Sequence, residues 1–91
     1  MSHLEGKVAI VTGGAGGIGF GIAEEFLRQR ASVVICDTDE AALETARAKL
    51  KGQVEAVKAD VSVRKQVAGV VEAALARFKQ IDILVNNAGG S

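Results

Sequence analysis

Short apolar runs alternate along this chain with longer stretches whose apolar residues recur at helical spacing, the pattern of strands and helices taken in turn. Residues 7–11 (Lys-Val-Ala-Ile-Val) are rich in β-branched side chains, and the glycines at 13, 14, 16, 17 and 19 stop the run. A strand buried on both faces reads this way. Over residues 18–30, Ile18, Ile22, Phe26 and Leu27 share one side while Glu24, Glu25, Arg28 and Arg30 take the other, as in a helix packed on a sheet. Residues 32–36 (Ser-Val-Val-Ile-Cys) repeat the strand signal and end at Asp37. Thr38 or Asp39 can cap a helix running through Leu43, Ala46 and Leu50 to Lys51, and Gly52 is the expected C-terminal stop. Residues 54–59 form a third, more polar strand suited to a sheet edge, and Ser62 is the expected N-cap of a helix over 63–78. The last run, 81–85, is interrupted by Asp82 and leads into Asn86-Asn87-Ala88-Gly89.

Four strands joined by three helices imply right-handed crossovers between parallel neighbours. The expected architecture is α/β: a Rossmann-like doubly wound parallel sheet, partial, with strand order 3-2-1-4 and its switch point between the first and fourth strands. All the glycine and Asp/Asn loops then meet at the carboxyl ends of the strands, where open α/β sheets bind ligands. Residues 1–91 are expected to be one unit, or part of one. Area scaling allows such a chain to bury about 63% of its unfolded surface, enough for a small core.

Composition removes several alternatives. Eleven Lys and Arg balance eleven Asp and Glu, and the signs are interleaved, so neither a nucleic-acid surface nor a membrane surface is supported. One cysteine, Cys36, cannot form an internal disulfide, and no Cys/His cluster offers a metal site. The start, from Met1 to Glu5, lacks the charged and apolar regions of a signal peptide. A cytoplasmic location is the expectation.

The chemistry concentrates at the loops. Residues 12–19 (Thr-Gly-Gly-Ala-Gly-Gly-Ile-Gly) follow a strand and open a helix, the setting in which glycines let backbone approach an anion and the helix start supplies free N–H groups. No Lys-Ser or Lys-Thr follows, which excludes a Walker A loop. A tight turn with glycines kept for packing is the plainer alternative. Asp37, eighteen residues after Gly19, stands where a carboxylate can accept both ribose hydroxyls of an adenosine and would repel a 2′-phosphate. No Lys or Arg lies among residues 14–16 to offset that repulsion, so NAD is favoured over NADP. Asp60 and Val61 could present a carboxylate and an N–H to an adenine edge, or could equally be a turn. Asn-Asn-Ala-Gly alone would be an ordinary turn.

Taken together, Thr12-Gly13-x-x-x-Gly17-Ile18-Gly19, Asp37, Asp60-Val61 and the segment from Asp82 through Asn86-Asn87-Ala88-Gly89 resemble the short-chain dehydrogenase/reductase family. The resemblance spans nearly the entire chain and implies that residues 1–91 are the amino-terminal, dinucleotide-binding half of a Rossmann-fold domain. It implies that Gly13, Gly16, Gly17, Ile18 and Gly19 surround the pyrophosphate and adenosine ribose, that Asp37 holds the ribose hydroxyls, and that Asp60 and Val61 flank adenine. Asn87, Ala88 and Gly89 would line the next ribose, and Asn86 would brace the sheet. Lys79 stands where relatives commonly carry glycine. Family members use a later Ser with a Tyr-x-x-x-Lys pair for proton and hydride transfer, and this sequence contains no Tyr. The expectation is an NAD-binding portion of an oxidoreductase acting on alcohols or carbonyls, with no catalytic residue of its own and silent alone. A stand-alone nucleotide-binding or interaction module is the competing reading. Half of an S-adenosylmethionine methyltransferase is a third, and the Asn-Asn-Ala-Gly end argues against it. His3 has no expected role, and Cys36 is expected to be inert core. With its outer edge unpaired, the fourth strand is expected to drive self-association, for instance by antiparallel pairing across a two-fold axis.

Overall fold

The structure, a computed structural model, describes residues 3–87. Its elements follow in the order β1 (Val8–Thr12), α1 (Gly17–Arg28), β2 (Ser32–Asp37), α2 (Glu40–Lys49), β3 (Val54–Lys58), α3 (Arg64–Phe78) and β4 (Ile83–Val85). The four strands form one parallel sheet in the order β3-β2-β1-β4, the expected Rossmann-like arrangement. Ile10 sits opposite Val34 and Leu84, and Val34 opposite Glu55, so the central pair β1 and β2 carries the register of the whole sheet.

Alternation along β1 and β2 divides the core into two layers, because successive strand side chains point to opposite faces. Val11, Val33 and Ile35 pack under α1 and α2 with Ala23, Leu27, Leu43, Ala46, Leu50 and Val54. Ile10, Val34 and Cys36 pack under α3 with Ala59, Val70 and Ala74. Ile35, Val11, Val33 and Val34 are fully buried, each contributing about 1.5–3 kcal/mol through the water-exposed area removed. The α3 side is less completely covered: Leu84 is 66% exposed and Leu75 44%.

The element ends differ from the expected ones in ways the packing explains. Helix α1 stops at Arg28 and closes with Arg30 in the left-handed region at φ 69°. The Arg30 N–H donates to Leu27 O at 3.0 Å and the Ala31 N–H to Phe26 O at 3.0 Å, the paired bonds of a Schellman motif. Gly52 is not the stop of α2, since the chain already leaves the helix at Leu50 (φ −80°, ψ 141°), whose side chain turns into the core. Asp39 does cap α2, accepting from the Ala42 N–H at 3.0 Å. Ser62 does not cap α3: the N-cap position is Val63, and the Ser62 hydroxyl is drawn instead to Asp60 Oδ1 at 2.7 Å. β4 is short because Asp82 uses its carboxylate where a strand would use backbone. Asp82 Oδ2 accepts the Val8 N–H at 2.8 Å while the Asp82 N–H donates to Val8 O at 2.8 Å.

Among the described residues, no helix is long and apolar enough to cross a membrane, and no group of His, Cys, Asp and Glu could hold a metal ion.

Candidate functional site

The carboxyl ends of β1, β2, β3 and β4 lie side by side, so the loops after them share one edge of the sheet. Between β1 and α1 the chain turns on the glycine run. Gly19 is buried against the loop that precedes it, and a Cβ there would collide with the Gly13 carbonyl. Gly14 meets β2 in the same way, because its Cβ would fall 2.7 Å from Ile35 Cβ. These two glycines seat the helix start directly on the sheet. Gly14 was absent from the expected site, although its place within the glycine run marks it.

Gly16 is the N-cap of α1 and has no capping side chain, and the first turn holds no acidic residue. The first N–H groups of a helix have no intrahelical partner and carry partial positive charge. By contrast, α2 starts under the Asp39 carboxylate with Glu40 in its first turn. An anion is therefore accommodated at α1 and opposed at α2. Gly16, Gly17 and Ile18 are exposed around that start, Ile18 at 75%.

Asp37 closes β2 beside this turn. Its Oδ2 accepts the Ala15 N–H at 3.3 Å, and its Oδ1 accepts the Thr38 and Asp39 N–H groups at 2.8 Å and 3.3 Å. Three backbone donors thus hold the carboxylate between the glycine loop and the end of β2. A cleft of about 360 Å³ opens there, lined by Gly13, Cys36, Asp37, Thr38, Ala59, Asp60, Val61 and Ser62. The structure therefore brings Gly13, Asp37, Asp60 and Val61 together around one space. Asp60 Oδ1 accepts the Ser62 hydroxyl and the Ser62 N–H at 2.7 Å and 2.9 Å, which hold its pKa below the ordinary aspartate value. The carboxylate is anionic at neutral pH.

Thr12 and Asn87 tie the end of β1 to the end of β4. The Asn87 N–H donates to Thr12 Oγ1 at 2.9 Å, and Asn87 Nδ2 donates to Gly13 O at 3.3 Å. Thr12 Oγ1 lies 3.3 Å from Val85 O and 3.4 Å from Asn86 Oδ1. Bracing between the strands thus involves both asparagines, and Asn87 is the one that grips the glycine loop. Ala88 and Gly89 lie outside the described residues. Cys36 is fully buried, and burial, then the neighbouring Asp37 charge, pushes its thiol up to about 11 against a bond from the Gly13 backbone that lowers it. A thiol of that kind is inert at neutral pH.

The turn at Gly14 and Gly19 that a Cβ would fill, the uncapped helix start, and the Asp37 carboxylate on the cleft beside Gly13 together suit a dinucleotide. Comparison with known proteins agrees with this geometry. The short chain dehydrogenase family matches residues 7–91. A 3beta-hydroxysteroid dehydrogenase 2 from Eggerthella lenta is 45% identical over 89 residues, covering 94% of this chain and 34% of that protein. A galactitol 2-dehydrogenase from Agrobacterium fabrum is 46% identical over 86 residues, covering 94% of this chain and 34% of that protein. Among solved structures, a 3-ketoacyl-(acyl-carrier-protein) reductase from Brucella melitensis, complexed with NADH, superposes with a TM-score of 0.89 at 47% identity, covering 93% of this chain and 35% of that one. A short chain dehydrogenase/reductase from Burkholderia phymatum, in complex with NAD, gives 0.82 at 36% identity, covering 92% and 31%. The chain spans about a third of the length of these relatives. Sheet order, glycine cradle and sequence thus converge: the chain belongs to the short chain dehydrogenase family and comprises its dinucleotide-binding region.

Proposed function

We propose that this chain binds NAD in preference to NADP and forms the cofactor-holding portion of an oxidoreductase that moves hydride between nicotinamide and an alcohol or carbonyl carbon. The observation that carries the preference is the Asp37 carboxylate, held by three backbone N–H groups on the cleft beside Gly13. A 2′-phosphate about 4 Å away would be repelled by about 4 kcal/mol per unit charge at an effective dielectric of 20, before screening by salt. No Lys or Arg stands in residues 12–19 to offset it.

In this reading the α1 start and the loop of Gly13, Gly16, Gly17, Ile18 and Gly19 hold the pyrophosphate, through backbone N–H groups that need no reorganisation. Asp37 accepts the ribose hydroxyls. Asp60 and Val61 meet adenine with a carboxylate oxygen and an N–H, and Asn87, Ala88 and Gly89 line the second ribose. The nicotinamide supplies the hydride chemistry when bound. The chain itself orients the adenosine end, and the groups that move the proton belong to the rest of an enzyme about three times as long.

A second copy of the chain is the proposed partner in the absence of that remainder, since Leu84 and the outer edge of β4 offer an apolar strand to pair. A reducing, cytoplasmic setting goes with the single thiol at Cys36.

Calorimetric titration with NAD, NADP and AMP tests the cofactor reading. NAD and AMP should bind with similar affinity, because the adenosine half supplies most contacts, and NADP should bind weakly. Equal binding of NAD and NADP would overturn the specificity, and no binding of any of the three by the folded chain would overturn the site.

A further inference from the structure

The loop between β3 and α3 is held by a side chain that no sequence motif singles out. Asp60 O accepts the Val63 N–H at 3.0 Å, and Asp60 Oδ1 accepts both Ser62 groups. The Asp60 N–H donates to Gln66 Oε1 at 2.7 Å. Gln66 is the third residue of α3, where the side chain of a capping box turns back to the N-cap N–H. Here the N-cap N–H, that of Val63, is already bonded to Asp60 O, and Gln66 reaches past it to Asp60 itself. α3 is in turn fixed to the sheet through Val70 and Ala74, which are 2% and 0% exposed. Asp60 Oδ2 accepts no bond and the Val61 N–H donates none among the described residues.

We propose that Gln66 is a positioning residue for purine selection: by occupying the Asp60 N–H it leaves the Asp60 Oδ2 acceptor and the Val61 N–H donor to face the base. Adenine presents the complementary pair, a donor at N6 and an acceptor at N1. Hypoxanthine presents the reverse, an acceptor at O6 and a donor at N1, and so meets acceptor with acceptor and donor with donor. Loss of Gln66 frees the Asp60 N–H and lets the peptide before it rotate, which adds a second donor at the cleft and blurs the order. The inference rests on the reading of this cleft as the adenosine site.

Titration of the protein with adenosine monophosphate and with inosine monophosphate tests it. The unaltered protein should prefer AMP, and Gln66→Ala should lower AMP affinity about fivefold, as loss of one hydrogen bond does, while IMP changes little. The AMP to IMP ratio then falls toward one. Gln66→Glu, which keeps an acceptor for the same N–H, should restore the ratio. A Gln66→Ala protein that keeps the ratio, whether both affinities hold or both drop together, overturns the proposal. An unaltered protein with no AMP binding or no purine preference overturns the adenosine reading itself, and this inference with it. Amide exchange in the ligand-free, unaltered protein tests the bond without any variant: the Asp60 N–H should exchange slowly and the Val61 N–H fast, with AMP slowing Val61. Fast exchange at Asp60 overturns the role of Gln66.

Discussion

At Gly19 and Asp37, single side-chain choices set what the site can hold. Any Cβ at 19 would meet the Gly13 carbonyl, so Gly19→Ala must push the loop off the helix start, at a cost of about 3 kcal/mol typical of overpacking in a tight site. Chemical denaturation should show a lowered midpoint, and NAD binding should be lost even at temperatures where the variant remains folded. Asp37→Ala removes the proposed ribose acceptor and, with it, the proposed repulsion of a 2′-phosphate. Calorimetry should then find NAD weakened about tenfold and NADP tightened; unchanged affinities for both would remove Asp37 from the site. The glycines and Asp37 stand out in the sequence, because the proposed phosphate cradle and ribose acceptor would demand particular residue types at particular spacing. Gln66 does not, because its role depends on a contact with a loop rather than on any chemistry of its own.

Helices and strands here end where a specific bond or a buried side chain ends them. Lys79 closes α3 at φ 73°, with its N–H on Leu75 O at 2.9 Å. Left-handed backbone costs a side chain about 1–2 kcal/mol that glycine avoids, partly offset by the greater freedom glycine loses on folding. Lys79→Gly should therefore stabilise the fold by about 1 kcal/mol, seen as a higher urea midpoint with an unchanged slope. The sequence marked position 79 only as a departure from the family pattern it resembles; the dihedral angle shows why glycine suits this position. Asp82 gives the start of β4 a pH dependence. The Val8 N–H, then Gln80 Nε2 at 2.7 Å, hold its carboxyl below the ordinary aspartate value against a smaller cost of desolvation, with Lys7 adding to the shift. The unfolded chain then binds a proton at higher pH than the folded one, so this contribution is present above about pH 4 and is lost as pH falls through the depressed folded value. Asp60 acts in the same sense. The urea midpoint should fall as pH drops below about 4, and Asp82→Asn should flatten that fall; an identical pH profile in the variant would remove Asp82 from the effect. An aspartate within an apolar run was visible in the sequence as an interruption, and only pairing with β1 shows it to be the pin of the strand.

On the scale of the molecule, the two helical layers are unequally finished. α1 and α2 cover their face of the sheet, whereas α3 alone leaves Leu84, Leu75 and Val67 reachable from solvent at 66%, 44% and 38%. An apolar strand with an open edge recruits a partner, and the proposed self-association should appear in light scattering as a mass above that of one chain that rises with concentration. Leu84→Lys should return it to the monomer, since a lysine on an edge strand opposes pairing. A monodisperse monomer at high concentration for the unaltered chain would refute the association.

What the sequence determined by itself was the kind and order of the elements, the parallel 3-2-1-4 sheet and the family. These follow from local periodicity and from glycines and aspartates whose chemistry fixes their surroundings. Tertiary structure alone decided which residues hold that frame to its loops: the Asp82 clamp on Val8, the Asn87 grip on Gly13 and the Gln66 tie to Asp60. Each is a hydrogen bond that forms only once the chain has folded back on itself, so neither periodicity nor propensity carries its signal.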